Sequence, residues 1–322
     1  MILAADVGAT KILLEVGEVR SGRWEAKLAK RYETAQAETF LAVLGDFLGE
    51  WNRVRGKSDR LDAAGFGVAG PVDGRKAKMT HRPLVVDADV VESRFLIPKA
   101  SVVNDLVAGA HGLDWLGPRD YVTVQEGEAD PSAPRVLLGV GTGLGVAYIV
   151  PGETGMRVLA SEGGHKGFAP ATLRQAELWR SIFEAHGHVE AEDVVSGVGL
   201  THIFGFVRGK GPHAKGAPED TVSAAWIAER AAKGDLVCSG ALELFYECLG
   251  NVAGDHAVAL LARGGVFLAG GVIAHTQPLL DASRFCEAFC AKGAMSGMMM
   301  KIPVRAVTNE RIVLLGAAKM MM

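Results

Sequence analysis

Cysteine is scarce in this sequence. The chain of 322 residues has four, Cys238, Cys248, Cys286 and Cys290. None forms a CxxC pair and no Cys/His cluster accompanies them, which excludes a zinc site of ordinary ligand spacing. Cys286 and Cys290 stand at helical i,i+4 spacing, and all four read as plain thiols. An excess of one charge is also missing. The formal net charge is −3 with Lys and Arg scattered, so nothing favours a nucleic-acid or anionic-membrane partner. No uncharged apolar run reaches membrane-spanning length. The opening MILAADVGAT lacks the basic region and cleavage site of a signal peptide, since Asp6 interrupts it. A cytoplasmic protein without membrane or nucleic-acid partners is the expectation. Two nucleotide motifs are absent too. GxxxxGK[ST] does not occur, and the glycines at 139–145 run into the strand-like VAYIV, not the helix of a dinucleotide fingerprint.

What remains is an apolar chain rich in turns. It is 49% hydrophobic and 22% charged with 41 Gly, a composition that suits an α/β protein. Its length predicts a large core in two lobes, since one core seldom grows past about 250–300 residues. MILAADVGATKILLEVGEV reads as strand, Gly/Thr turn, strand, and RVLLGVGTGLGVAYIV repeats that device. Apolar residues at helical spacing predict a helix over 38–54, and a further helix follows from about 106 to 116. The middle, about 172–262, is mostly helical in pattern. GGVFLAGGVIAH returns to a strand before a Gly-Gly turn, KIPVRAV is a late strand, and RIVLLGAAKMM closes the chain as a helix. GKGPHAKGAPED, 209–220, is expected as a surface loop.

Five places hold residues suited to chemistry. Turns of small residues between strands expose backbone N–H groups, and such nests bind phosphate oxygens; Thr10 and Thr142 would add hydroxyls. Asp6 offers the oxygen donors that a hydrated Mg²⁺ prefers. In SEGGHKGF, Glu162 and His165 follow a strand, with glycines that let a polar ligand approach; adjacent sugar hydroxyls suit a carboxylate beside an imidazole. In GHVEAEDVVSG, Glu192 stands between Glu190 and Asp193, and sequence physics does not separate the three acids. In VVNDLVAGA, Asn104 and Asp105 end an apolar run just before a helix. Asp is a good N-cap there, yet strand ends beside helix starts are also where α/β proteins keep their chemistry.

These stretches together resemble the bacterial-type glucokinase family of the sugar-kinase/actin-like ATPase superfamily, in order along nearly the whole chain. DVGAT is similar to its first phosphate loop, VVNDLVAGA to the segment with the catalytic Asp, and GVGTGLGVA to its second phosphate loop. EGGHKGFAP and GHVEAEDVVSG resemble its sugar-binding elements, and AGGV its adenosine contact. The resemblance implies a two-lobed α/β actin-like ATPase (ribonuclease H-like) fold with the active site in the interlobe cleft. The small lobe would comprise 1–112 plus 308–322, and the large lobe, with helical insertions, 113–307. It implies ATP-dependent phosphorylation of glucose to glucose 6-phosphate, the entry to glycolysis, with Asp105 as general base on the 6-hydroxyl. Asn104, Glu162, His165 and Glu192 would hold the other hydroxyls. Asp6, Val7, Gly8, Ala9 and Thr10, with Gly141, Thr142 and Gly143, would hold the ATP phosphates. Gly270 and Gly271 would adjoin adenosine, Mg²⁺ would bridge the phosphates with Asp6 holding it through water, and the enzyme would be a homodimer.

Some residues depart from that pattern. Ala9 replaces a usual glycine. Lys11 replaces a usual Asn and leans toward the ROK relatives, whose zinc-site cysteines this chain lacks. In MTHRPLVVD, 79–87, His81 follows Thr80 where the family commonly shows Thr-Asn and a Trp, which leaves the preferred hexose open. A kinase for another hexose or an amino sugar, and a non-catalytic sugar-binding regulator, stand as alternatives. Retention of Asp105 speaks against the regulator, and the sugar-type residues speak against an actin-like assembly or chaperone ATPase.

Overall fold

Five of the six residues of the N-terminal strand Ile2–Val7 are buried, so it needs cover on both faces and pairing on both edges. Lys11–Arg20 pairs antiparallel on one edge and Ala63–Val68 parallel on the other. Arg23–Glu33 and Ala100–Asn104 extend the sheet to five strands. The computed structural model describes residues 1–79, 83–153, 155–209 and 222–322. The loop expected at 209–220, apart from Gly209, and the departures at Thr80 and His81 lie outside the described residues.

The chain divides into two compact units, Met1–Pro118 with Asn309–Met322, and Arg119–Thr308. In the first, the helix Phe40–Val54 buries Phe40, Leu44, Phe47 and Trp51 against one face of the five-stranded sheet. Thr39 caps it by accepting the Ala42 N–H. The other face carries the helix Asp105–Gly112 and the C-terminal helix Ile312–Lys319, whose Gly316 lies so close that a Cβ would overlap the Ala108 carbonyl. The helix expected from about 106 to 116 thus starts at Asp105, ends at Gly112 and continues as the 3-10 turn Leu113–Trp115. A small antiparallel sheet of Val72–Asp73, Lys76–Lys78 and Val85–Asp87 completes this unit.

The second unit repeats the arrangement. Its sheet runs Gly155–Ser161, Leu144–Gly152, Arg135–Val140, Gly265–Ala269, Val304–Val307, Tyr121–Gln125. The first five of these match the first unit's order: two antiparallel pairings, then two parallel ones. The matched sequence turns therefore join corresponding strands in two corresponding sheets. The core is organised by the 25-residue helix Leu236–Leu260, packed by Ala282–Cys290 and Gly197–Val207. By length and composition that helix could cross a membrane. However, 67% of its apolar window is buried inside the fold, and it carries Glu243, Glu247 and Asp255, as a core helix does.

Candidate active site

In the first unit the turn after Val7 is closed by Gly8 N–H donating to the Lys11 carbonyl at 2.9 Å. Thr34 pins it from outside: its hydroxyl donates to the Gly8 carbonyl at 2.8 Å and its N–H to the Thr10 carbonyl at 2.9 Å. Ala9 is half-buried and Thr10 exposed at the tip. Asp6 lies buried at the base of this turn. Burial raises its pKa to about 7; the Asp105 charge pushes the same way, Lys11 opposes, and Glu310 adds a further rise. Lys11 Nζ is 2.7 Å from Glu310 Oε2.

Asn104 and Asp105 divide the work at the strand end. Asn104 is the N-cap, accepting the Leu106 N–H at 2.9 Å, and Asp105 Oδ1 accepts the same N–H at 2.9 Å. The helix therefore has its cap without the carboxylate. Burial raises the Asp105 pKa to about 6, against the lowering pull of the Leu106 N–H, its own N–H and the Asn104 side chain. A carboxylate in that range is ionised at neutral pH and basic enough to take a proton.

In the second unit, Gly141 N–H donates to the Gly143 carbonyl at 2.9 Å, and Gly197 N–H to the Gly141 carbonyl at 2.8 Å. Among the described residues, a Cβ at Gly141 would meet nothing within 4 Å, and Thr142 is exposed. Gly270 has φ +103°, a conformation that disfavours side chains, and a Cβ there would overlap the Val140 carbonyl just before the turn. Gly271 starts the helix Gly271–Thr276, and among the described residues a Cβ there would meet nothing within 4 Å. The Gly141–Gly143 turn and the Gly-Gly pair thus adjoin.

The three acids that sequence leaves unseparated have three distinct partners. Glu192 is not a solvated helix-start acid: its Oε2 accepts the Leu144 N–H at 2.7 Å, and a Cβ at Gly143 would overlap that oxygen. Glu190 lies 3.1 Å through Oε2 from His165 Nδ1. Asp193 Oδ2 accepts the Glu190 N–H at 3.0 Å, closing a capping box around the 3-10 turn Ala191–Asp193. His165 ends the 3-10 turn Gly163–His165, and its Nε2 lies 3.9 Å from Glu162 Oε2. Glu162 is 88% exposed and His165 53%. Partial desolvation works against the charged imidazole, but the Glu190 hydrogen bond and the charges of Glu190, Glu192 and Glu162 raise its pKa overall. One ligand atom from each of His165, Glu190 and Glu192 lies within 4.8 Å of the others.

Beneath this turn lies a floor that sequence reading missed. A Cβ at Gly163 would stand 2.9 Å from His256 Cε1, and His256 Nδ1 shares a 2.8 Å hydrogen bond with the Tyr148 hydroxyl. Burial and the Lys166 charge depress His256 to about 4, so it is neutral at pH 7. Thr34, Tyr148, His256 and Glu310 lie outside the family-like motifs and were missed, while Glu190 lies within GHVEAEDVVSG, where the E-x-x-D spacing of a capping box was the one sign of its part.

Each unit thus offers a small-residue turn with polar side chains that suit a phosphate or a hydroxyl. The fold falls in a class shared with sugar kinases. A solved ROK-family glucokinase from Streptomyces griseus, in complex with glucose and AMPPNP, is similar at TM-score 0.65 and 22% identity, over 99% of this chain and 98% of that one. The chain belongs to the glucokinase family, whose model, described as Glucokinase, matches residues 3–322. A glucokinase of Nostoc sp. is 31% identical, with 99% of this chain and 98% of the relative covered. The crystal structure of a glucokinase from an Antarctic psychrotroph has a TM-score of 0.86 at 29% identity, over 99% of this chain and 98% of that one.

Proposed function

We propose that the chain transfers the γ-phosphoryl group of ATP to the 6-hydroxyl of glucose, giving ADP and glucose 6-phosphate, with Asp105 as the general base. The observation that carries this assignment is the raised carboxylate of Asp105 at a helix start that Asn104 already caps. Phosphoryl transfer asks the protein mainly for alignment and charge stabilisation, which suits small turns and fixed polar groups better than a nucleophile. Asn104, Glu162, His165 and Glu192 would hold the remaining hydroxyls. The turns at Asp6–Thr10 and Gly141–Gly143 would hold the phosphates, and the open positions at Gly141 and Gly271 leave room for a nucleotide. Asp6 would hold Mg²⁺ through water, and the crowding of Asp6, Asp105 and Glu310 charges suits a divalent cation. When bound, that ion supplies neutralisation of the phosphate charge. The family resemblance extends the proposal to a cytoplasmic homodimer of actin-like fold, with lobes 1–112 plus 308–322 and 113–307 and the active site in the interlobe cleft.

A coupled ADP-release assay across a panel of hexoses tests this. Glucose should stimulate release most, and no stimulation by any sugar would favour the regulator. In the same assay Glu162→Gln and His165→Ala should raise the glucose KM by about tenfold or more, the worth of one hydrogen bond to a charged group, with a much smaller effect on the ATP KM. Equal rises for both substrates would remove these residues from the sugar side.

A further inference from the structure

We propose that Glu190 is a positioning residue for sugar recognition, holding the imidazole proton of His165 on Nδ1 so that Nε2 is the ring atom left for a sugar hydroxyl. This rests on the assignment of His165 to the sugar made above. A carboxylate only accepts hydrogen bonds, so the 3.1 Å contact between Glu190 Oε2 and His165 Nδ1 requires the proton on Nδ1. Glu190 is well placed to impose this. Its backbone bridges Gly167, its N–H donates to Asp193 Oδ2, and its side chain accepts the Asp193 N–H, so the carboxylate is anchored and only 22% exposed. Lys166 accepts the Ala191 N–H at 2.8 Å through its carbonyl, and Phe168 donates its N–H to the Val189 carbonyl at 3.1 Å. The segment after His165 and the segment carrying Glu190 and Glu192 are thereby tied together.

Among the described residues, the other charged groups around the ring do not compete for Nδ1. Glu162 stands on the Nε2 side, Glu192 is engaged by the Leu144 N–H, and the Lys166 charge acts on His256. Neutral His165 would then accept a sugar hydroxyl at Nε2, and protonated His165 would donate there. Glu190 keeps Nδ1–H in both states, and its link to the Ala191–Asp193 turn lets His165 and Glu192 act on one sugar in fixed register.

The test uses the full chain and the Glu190→Gln variant, whose amide oxygen can still cap the turn; a thermal melt checks that it folds. Long-range ¹H–¹⁵N spectra of ligand-free protein should show neutral wild-type His165 protonated at Nδ1. In Glu190→Gln the tautomers should mix, and the imidazole acidity constant should rise about tenfold. The glucose KM should rise roughly tenfold in that variant, with little change in the ATP KM. Adding Glu190→Gln to His165→Ala should have no further effect on the glucose KM, because the influence passes through the ring. An unchanged tautomer and midpoint, or a full further rise in the double variant, would overturn the proposal. Should His165→Ala itself leave the glucose KM at the wild-type value, the sugar assignment of His165 fails, while the spectra still decide whether Glu190 sets the tautomer.

Discussion

Asp105→Ala is expected to lower kcat by about 10²–10⁴-fold while glucose binding stays measurable, the usual range for loss of a positioned base. On the proposed assignment the 6-hydroxyl of glucose would give its proton to the Asp105 carboxylate as the phosphoryl group arrives, and in the alanine variant only water would be left to accept it. Collapse of the fold would not mimic this result. The folded pKa of Asp105, about 6, lies above its ordinary value of 3.8. Its contribution to stability is therefore fully present below 3.8 and lost as pH rises through 6, so at pH 7 the ionised carboxylate destabilises the fold. Removing it should leave the melting temperature unchanged or higher, and Asn104 retains the helix cap. A variant that turns over at the wild-type rate would show that the proton goes elsewhere.

Gly164→Ala should have the second-largest effect, about 2–4 kcal/mol of lost stability together with a glucose KM raised tenfold or more. A Cβ at Gly164 would overlap the Leu144 carbonyl, and both parties are backbone, so no flexible side chain can yield. The Gly163–His165 turn would have to lift from the strand Leu144–Gly152. Leu144 is also the residue whose N–H holds Glu192, and it directly follows the Gly141–Gly143 turn. One methyl group would thus disturb His165, Glu192 and the turn at once. Gly167→Ala is the matched control: among the described residues nothing lies within 4 Å of its Cβ position, and its melt should stay within about 0.5 kcal/mol of wild type. Thermal melts and a glucose titration of both variants check this; wild-type behaviour in Gly164→Ala would mean that the close packing there is dispensable.

Much of this arrangement was legible in the residues because it is local. The two hairpins were readable from apolar runs flanking Gly/Thr turns, and both form antiparallel pairs closed where the glycines stand. The parallel partners Ala63–Val68 and Gly265–Ala269 were not assignable to them, since pairing across a crossover leaves no sign in either strand alone. Asn104 and Asp105 show the same limit at side-chain scale. Both can offer an oxygen to the Leu106 N–H, so composition could not say that Asn104 takes the cap position. Glu190, Glu192 and Asp193 crowd four positions, and what separates them is partners 25 residues away at His165 and 48 away at Leu144. Thr34 braces the first turn from 26 residues on, for the same reason beyond any local pattern.

Proton transfer from the accepting hydroxyl to the Asp105 carboxylate, as proposed, is tested most directly by kcat/KM for glucose against pH in the wild type and in Asp105→Ala. The wild-type value should fall on the acid side through a midpoint between about 6 and 7, because Asp105 is raised to about 6 and its neighbour Asp6 to about 7, and interacting carboxylates titrate as a pair. In Asp105→Ala the limb should vanish from its wild-type midpoint, and any acid-side fall left to Asp6 should move to lower pH once the Asp105 charge that helps raise it is gone. A wild-type limb near pH 4, or a limb that survives in the variant at an unchanged midpoint, would contradict the assignment.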